Sequence, residues 1–227
     1  MAKSKQSSND ADFFTLVSNT FKLIGDSWEA LKLNMRTFIF AALVPLIAIG
    51  ISIPFVLTPF FTHNTGRSAS ISLAVVVLVL VAIVGCIFLP VITLTQLASA
   101  KSKKLSIDEA FNQSKKFVFR YLCLIILIGL SVIIGSILLI IPGLLVAFFL
   151  SMATYILIDK NIGVMDAIKQ SYKLVRANWM IVLALFVVNI VVSGVSYVPF
   201  IGWLAGFVLA IAYFCLPAIV YVKISRK

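Results

Sequence analysis

An uncharged run in the middle of the chain constrains the fold more than any other feature. It covers residues 121–158, and only the dipeptide Pro142-Gly143 interrupts it. As one helix, its 38 residues would measure about 57 Å, nearly twice the bilayer hydrocarbon thickness of about 30 Å. Proline is accepted in the first turn of a new helix, and glycine permits a chain reversal before it. The run therefore predicts a transmembrane hairpin with its tip at Pro142-Gly143.

The composition of the whole chain points to the same class of protein. Of its 227 residues, 62% are hydrophobic and 12% are charged. A water-soluble domain of this size cannot bury so much apolar surface, so the composition predicts a polytopic helical membrane protein. The long apolar runs also lack the polar and apolar alternation of a transmembrane β-barrel.

The positive charges are unevenly distributed, which predicts an orientation. The net charge is +11, yet 18 of the 19 lysines and arginines fall in segments that one topology places on the same side. Only Arg67 falls on the other side. Because lysine and arginine accumulate in cytoplasmic loops, this side and both termini are predicted to be cytoplasmic. The charge is thereby explained without a nucleic-acid partner. The basic segments are 3–36, 101–120, 160–176 and 223–227.

A basic amphipathic segment precedes each predicted hairpin. After a polar stretch at 1–11, expected to be disordered, apolar residues recur at steps of three and four between Phe14 and Phe38. A coiled coil has similar spacing, but this segment continues directly into an apolar run, which favours a helix in the membrane interface. Gly25 is expected to allow a bend within it. Segments 101–120 and 161–179 have the same character, and Ser106 with Glu109 fits a capping box.

The predicted units resemble one another residue by residue, which defines the expected fold. We predict an all-α polytopic membrane protein with a single helical domain at 12–227. It has six transmembrane helices, arranged as three parallel repeats of an interfacial amphipathic helix plus a transmembrane hairpin. The units cover about 12–100, 101–160 and 161–227. The spans are 37–60, 71–97, the two halves of the uncharged run, 179–197 and 201–222. Ala110, Gln113, Ser114, Lys116 and Val118 recur as Ala167, Gln170, Ser171, Lys173 and Val175.

The second and third units contain the short motifs Ile141-Pro142-Gly143, Asp159-Lys160, and Ala167, Ser171, Val175, Asn178 and Trp179 at their spacing. These motifs resemble a family of prokaryotic multi-pass membrane proteins. One member is the membrane domain fused to some glycerophosphodiester phosphodiesterases, and related stand-alone members are uncharacterised. The resemblance implies a fold and a location in the cytoplasmic (inner) membrane of a prokaryote. It implies no activity, because the phosphodiesterase activity belongs to a separate soluble barrel.

The sequence contains no recognisable catalytic or metal-binding arrangement. Every Asp, Glu, Lys and Arg falls outside the predicted spans, which argues against proton-coupled transport and intramembrane metal catalysis. His63 lies in the predicted outer loop with no carboxylate or cysteine nearby. The three cysteines lie in apolar runs without metal-ligand spacing. We therefore expect a protein that is not an enzyme and holds no cofactor. The cysteines are Cys86, Cys123 and Cys215.

Basic side chains of the second and third amphipathic segments form the first candidate site. They are expected to attract anionic lipid headgroups, at about 1 kcal/mol for each basic residue near the surface. Alternatively, they only orient and anchor the chain, as the positive-inside rule requires. The candidate headgroup contacts are Lys115, Lys116, Arg120, Lys169, Lys173 and Arg176.

Polar residues within the fifth predicted span form the second candidate site. Asn189, Ser193 and Ser196 are spaced by four and three residues, so they share one side of a helix. They either line a polar path or make interhelical hydrogen bonds. The sequence leaves two hypotheses for function. The first is a lipid-contacting scaffold or accessory subunit; the alternative is a small transporter or flippase-like permease for an uncharged or lipid-like substrate. Membrane lipids are the expected partners in both.

Overall fold

The structure is all-helical over the residues that it describes. It is a computed structural model, and it describes residues 2–61, 67–138, 140–195, 211 and 213–226. No strand occurs in these ranges. The helices are α1 (Ala2–Leu33), α2 (Met35–Phe61), α3 (Arg67–Ala100), α4 (Ile107–Lys115), α5 (Val118–Leu138), α6 (Ile140–Leu150), α7 (Ala153–Lys160), α8 (Val164–Ala177), α9 (Trp179–Val195) and α10 (Leu216–Ser225).

Several of these helices are long and apolar enough to cross a membrane. Within the described ranges, four continuous stretches meet this condition, and α8 with α9 would make a fifth if the bent pair is counted as one span. α10 is shorter, and half of the predicted sixth span at 201–222 lies outside the described residues. The first four predicted spans are therefore confirmed as helices able to cross, whereas α9, in the predicted fifth span 179–197, meets the condition only together with α8. The four stretches are Met35–Leu57, Ile71–Ala100, Val118–Ile137 and Ile141–Lys160.

The first hairpin consists of α2 and α3, which pack along each other. Pro45 and Pro54 lie inside α2 and Pro90 lies inside α3 without ending either helix. Proline is tolerated in membrane helices where neighbouring groups compensate for the lost hydrogen bond. Many apolar side chains of this pair face outward, and Ile51 is 62% exposed. Such an apolar exterior is expected for a surface that contacts lipid. Residues 62–66 of the predicted outer loop 62–70 lie outside the described residues, and His63 is one of them.

The second hairpin consists of α5 and α6, and its two helices approach closely. α5 ends at Leu138 and α6 begins at Ile140, so Pro142 lies in the first turn of α6. A Cβ added at Gly135 would lie 2.9 Å from the Cα of Gly143. No described glycine has positive φ. The hairpin predicted from Pro142-Gly143 is thus present, but Gly143 provides space for helix contact rather than an unusual backbone angle.

The buried core lies toward the end of the bundle that carries the basic loops. We call this end the basic end; it contains the residues that follow α3 and the α7–α8 connection. Side chains from α5, α7, α8, α9 and α10 form one continuous apolar cluster there. Close packing at this end fixes the positions of the polar residues described below. Fully buried members of the cluster are Leu124, Met152, Leu157, Val175, Val182, Val188, Leu216 and Val220.

α1 differs from the sequence expectation in two respects. It includes residues 2–11, which were expected to be disordered, and it passes Gly25 without a break. The first ten residues of α1 contain neither proline nor glycine, so no residue there interrupts a helix. Its buried side carries Thr20, Ser27 and Leu31. Phe21, on the predicted apolar side, is instead exposed.

α4 and α8 share a pattern of small buried residues. Ala110 and Ser114 are buried in α4, and Ala167 and Ser171 are buried in α8. These pairs occupy the positions that the sequence comparison aligns, although the repeat as a whole stays a prediction. At the start of α4, the Ser106 hydroxyl accepts a hydrogen bond from Glu109 N, and Ser106 N donates to the Glu109 carboxylate. The predicted capping box is therefore confirmed.

Candidate functional site

A right-angled elbow separates α8 from α9. The two helices meet at 93°, with Asn178 alone between them. The Asn178 backbone N–H donates to the carbonyl oxygens of Leu174 and Val175, and its side-chain Nδ2 donates to Leu174 O at 3.1 Å. These bonds satisfy carbonyl groups that would otherwise be free at the end of α8. If α9 crosses a bilayer, α8 therefore lies parallel to the membrane surface.

The basic side chains of α8 face away from the protein. Lys169, Lys173 and Arg176 are all exposed, and none of them forms an ion pair or hydrogen bond within the described part of the chain. With Ile168, Tyr172 and Leu150 they line an open cleft of about 750 Å³. We call this the basic cleft. Its three cations are available to an anion from outside the protein.

An apolar groove begins where the basic cleft ends. It lies between α6 and α9 and has a volume of about 490 Å³. Arg176 lines both the groove and the basic cleft, so the two are continuous at this side chain. The arrangement can accept a molecule with an anionic head and an apolar tail. The groove is lined by Leu144, Leu145, Phe148, Phe149, Arg176, Trp179, Leu183, Phe186, Val187 and Ile190.

Aromatic contacts shape the floor of the groove. The Phe148 ring lies 5.5 Å from that of Phe149 and 5.3 Å from that of Phe186, measured between centroids. Phe149 in turn contacts Tyr172 of the basic cleft, with centroids 5.0 Å apart. Such pairs favour fixed ring orientations over free rotation. The groove and the basic cleft are thus joined by packed rings as well as by Arg176.

The basic residues near α4 divide into two kinds. Lys115 and Lys116 are exposed, as predicted for headgroup contacts. Arg120 is also exposed, but its Nη1 donates to Oδ1 of Asn161 at 3.0 Å and to the Asn161 carbonyl at 3.4 Å. Asn161 ends α7 with a left-handed φ of 50°. Arg120 therefore stabilises the connection into α8, in addition to any contact with lipid.

A polar network inside the basic end joins α3, α7 and α10. Asp159, at the end of α7, pairs with Lys101, and its second oxygen accepts a hydrogen bond of 2.9 Å from Tyr221. The Tyr221 ring stacks on that of Tyr155, with centroids 5.9 Å apart. Tyr155 donates to Gln96 Oε1 at 3.0 Å. Apart from the presence of Gln96 and Tyr155 in apolar runs, nothing in the sequence indicates that these residues from separate helices meet.

A second polar junction fixes the break between α1 and α2. Asn34 is buried, and its Nδ2 donates to Ser99 Oγ at 3.0 Å and to the Lys103 carbonyl at 2.8 Å. Its Oδ1 accepts from Leu105 N at 2.7 Å, and Thr37 donates to the Leu105 carbonyl at the same distance. These bonds attach the first two helices to the α3–α4 connection. Sequence reasoning missed this role.

The second candidate site is only partly described. Asn189 and Ser193 are exposed on α9, and Ser193 Oγ donates to Asn189 Oδ1 at 3.2 Å. Ser196 lies outside the described residues. Of the three free cysteines, Cys215 is buried and the other two are half-buried. No group of histidine, cysteine or carboxylate side chains in the described ranges could hold a metal ion.

Comparison with known proteins identifies the family. A model described as an uncharacterised protein family, UPF0259, matches residues 62–219. A UPF0259 membrane protein of Pectobacterium carotovorum subsp. carotovorum (strain PC1) is 38% identical over 99 residues, which are 43% of this chain and 39% of that relative. The match thus spans less than half of the relative's length. No solved structure matches the chain.

The apolar helices and the family match agree on the class of protein. Four or five helices are able to cross a membrane, and the relative is named as a membrane protein. The chain is therefore a multi-pass membrane protein. The predicted resemblance to the membrane domain of glycerophosphodiester phosphodiesterases is not part of these matches, and it stays a prediction. Because the family model matches more than half of the chain, this chain belongs to UPF0259.

Proposed function

We propose that the chain is a lipid-contacting scaffold or accessory subunit of the cytoplasmic membrane of a prokaryote, and not an enzyme. The observation that carries this proposal is the 93° elbow between α8 and α9. With α9 across the bilayer, α8 lies in the plane of the surface, where its exposed lysines and arginine meet headgroups. On this proposal α4, with Lys115 and Lys116, also lies at the level of the headgroups.

The proposed topology has six spans and a cytoplasmic basic end. On this proposal the four continuous stretches and α9 supply five of these spans, and 201–222 supplies the sixth. Both termini are then cytoplasmic, as the distribution of lysine and arginine requires. This proposal includes the three parallel units, each of which is an interfacial helix followed by a hairpin. It also includes the relation to the membrane domains fused to some glycerophosphodiester phosphodiesterases.

A second candidate function is transport of an uncharged or lipid-like substrate. It is favoured by the exposed polar pair Asn189 and Ser193 on the otherwise apolar α9. Ser193 Oγ donates to Asn189 Oδ1, but the Asn189 amide N–H groups have no partner among the described residues, and exposing them to hydrocarbon is costly. The spacing of Ser196 predicts that it shares this helix side, and on this proposal the three residues line the route.

Photo-cross-linking tests the lipid contacts directly. A diazirine amino acid is placed singly at Lys115, Lys169 and Lys173, and cells are irradiated before the membranes are extracted. We expect phospholipid adducts at all three positions. The matched control is Ala167 of α8, which is buried and should give protein contacts only. Adducts with soluble proteins and none with lipid at the three lysine positions would overturn the proposal.

A second assay separates a scaffold from a transporter. The purified protein is reconstituted into vesicles that carry a fluorescent phospholipid in both leaflets, and dithionite is added outside. A scaffold should leave the inner leaflet protected, as in protein-free vesicles. Loss of protection that is abolished by replacing Asn189 and Ser193 together with leucine and alanine would establish the transporter instead.

A further inference from the structure

We propose that the apolar groove and the basic cleft together hold one anionic phospholipid of the inner leaflet. One acyl chain lies in the groove between α6 and α9, and the phosphate lies against Arg176. This inference rests on the proposed function, because it requires the basic end to face the inner leaflet. It adds a defined ligand class and a defined place on the surface.

The length of the groove matches one leaflet. Its lining on α9 extends from Trp179 to Ile190, which is about 16 Å along the helix axis. Half of the hydrocarbon core is about 15 Å thick. Trp179 is half exposed and marks the level of the headgroups, where tryptophan is enriched. An acyl chain that starts at this level would fill the groove and end near Ile190.

The charge at the head of the groove fits a phosphate. Arg176 lines both cavities and has no partner in the described part of the chain. A guanidinium can donate two parallel hydrogen bonds to a phosphate, which an ammonium cannot. Lys169 and Lys173 line the same basic cleft and add two further positive charges. A zwitterionic lipid brings a positive group into this cleft, so a net anionic lipid is favoured.

The walls of the site are fixed before any ligand binds. Phe148 packs against both Phe149 and Phe186, and Phe149 contacts Tyr172 of the basic cleft. A preformed apolar groove costs less conformational entropy on binding than a flexible surface. We therefore expect a lipid that stays bound when the surrounding lipids exchange.

Native mass spectrometry of the full chain tests this proposal. The protein is reconstituted with equal amounts of phosphatidylglycerol and phosphatidylcholine, extracted in mild detergent, and the mass of retained lipid is measured. We expect one retained phosphatidylglycerol.

Arg176→Gln should lower the occupancy of this lipid about tenfold, because it removes one good charge-assisted contact. Lys223→Gln removes an exposed positive charge that lines neither the groove nor the basic cleft, and it should leave occupancy unchanged. Added inorganic phosphate should not release the lipid.

Variants that fill the groove separate chain binding from headgroup attraction. Val187→Trp should displace the acyl chain without changing the charge, and Ile190→Trp, at a site that is 70% exposed, is a second variant if the first fails to fold. Ile126→Trp on exposed α5 surface is the matched control. Retention that survives groove filling, or equal retention of phosphatidylcholine, would overturn this inference. If only this inference is wrong, the diazirine at Lys169 should still form lipid adducts. If those adducts are absent, the proposed function itself is wrong.

Discussion

The hydroxyl of Tyr221 donates a 2.9 Å hydrogen bond to Oδ2 of Asp159, while the other carboxylate oxygen pairs with Lys101. One acidic side chain thereby connects the end of α7 to α10 and to the residues that follow α3. The sequence shows Asp159 only as part of a charged turn. In the structure it is the junction of three segments that are far apart in the chain.

Replacing Asp159 with asparagine should destabilise the basic end. The substitution leaves Lys101 half-buried without its counter-charge, and removing one partner of a fully buried pair costs about 3–5 kcal/mol. Because the two side chains are 29% and 19% exposed, solvent screening should reduce the loss to about 1–2 kcal/mol. Thermal unfolding in lipid nanodiscs measures this difference. Asp166→Asn, an exposed acid at the start of α8, should have little effect. An unchanged Asp159→Asn protein would contradict the structural role.

Replacing Asn34 with alanine should detach the first two helices from the α3–α4 connection. The change removes the bonds to Ser99, to the Lys103 carbonyl and to Leu105 N. At about 1 kcal/mol for each buried bond, the loss should be about 3 kcal/mol. Hydrogen exchange at Leu105 N should also accelerate, because its acceptor is gone. Asn112→Ala, on the exposed side of α4, is the control and should leave both measurements unchanged.

Adding a methyl group at Gly143 should force α5 and α6 apart. A Cβ there would overlap Ser136 Oγ and lie 2.8 Å from Ser136 N. Overpacking of this kind costs about 1–3 kcal/mol, which the thermal midpoint should report. Gly129→Ala in α5 is matched, since nothing lies within 4 Å of the added atom. It should be neutral or slightly stabilising, because alanine favours a helix. Equal effects at the two glycines would show that the hairpin contact is absent.

Cysteine labelling tests the proposed orientation. A membrane-impermeant maleimide added outside intact spheroplasts should modify a cysteine placed at Asn64, but not one placed at Lys103 or Lys169. After the membrane is opened, the last two should react. The unsubstituted chain, which contains Cys86, Cys123 and Cys215, gives the background. Labelling of Lys103→Cys from outside, with Asn64→Cys protected, would reverse the topology.

The sequence predicted the local features of this fold well. The hairpin around Pro142 follows from the length of an apolar run, and the capping box at Ser106 follows from residues three positions apart. The exposed lysines of α4 and α8 follow from helical periodicity. Each of these features depends on neighbours in the chain, so one sequence is enough to indicate it.

The features that the sequence did not predict depend on contacts between segments that are far apart in the chain. Asn34 and Ser99, or Asp159 and Tyr221, meet only because the helices pack as they do. The buried side of α1 was misjudged for the same reason. Ser27 Oγ accepts a hydrogen bond from Cys215 N at 3.1 Å, so a small polar residue is buried there while Phe21 faces outward. The periodicity of apolar residues does not indicate such polar contacts between helices.

In the proposed topology, the elbow at Asn178 sets the depth of the protein in the bilayer. Only one residue separates α8 from α9, so the span has no spare chain with which to shift along the membrane normal. In the proposed topology, moving α9 outward by one turn, about 5.4 Å, would draw Arg176 from the headgroups into hydrocarbon. That movement is opposed by the cost of burying a cation. The basic helix therefore acts as a stop that holds α9, and the core packed against it, at one level in membranes of different thickness.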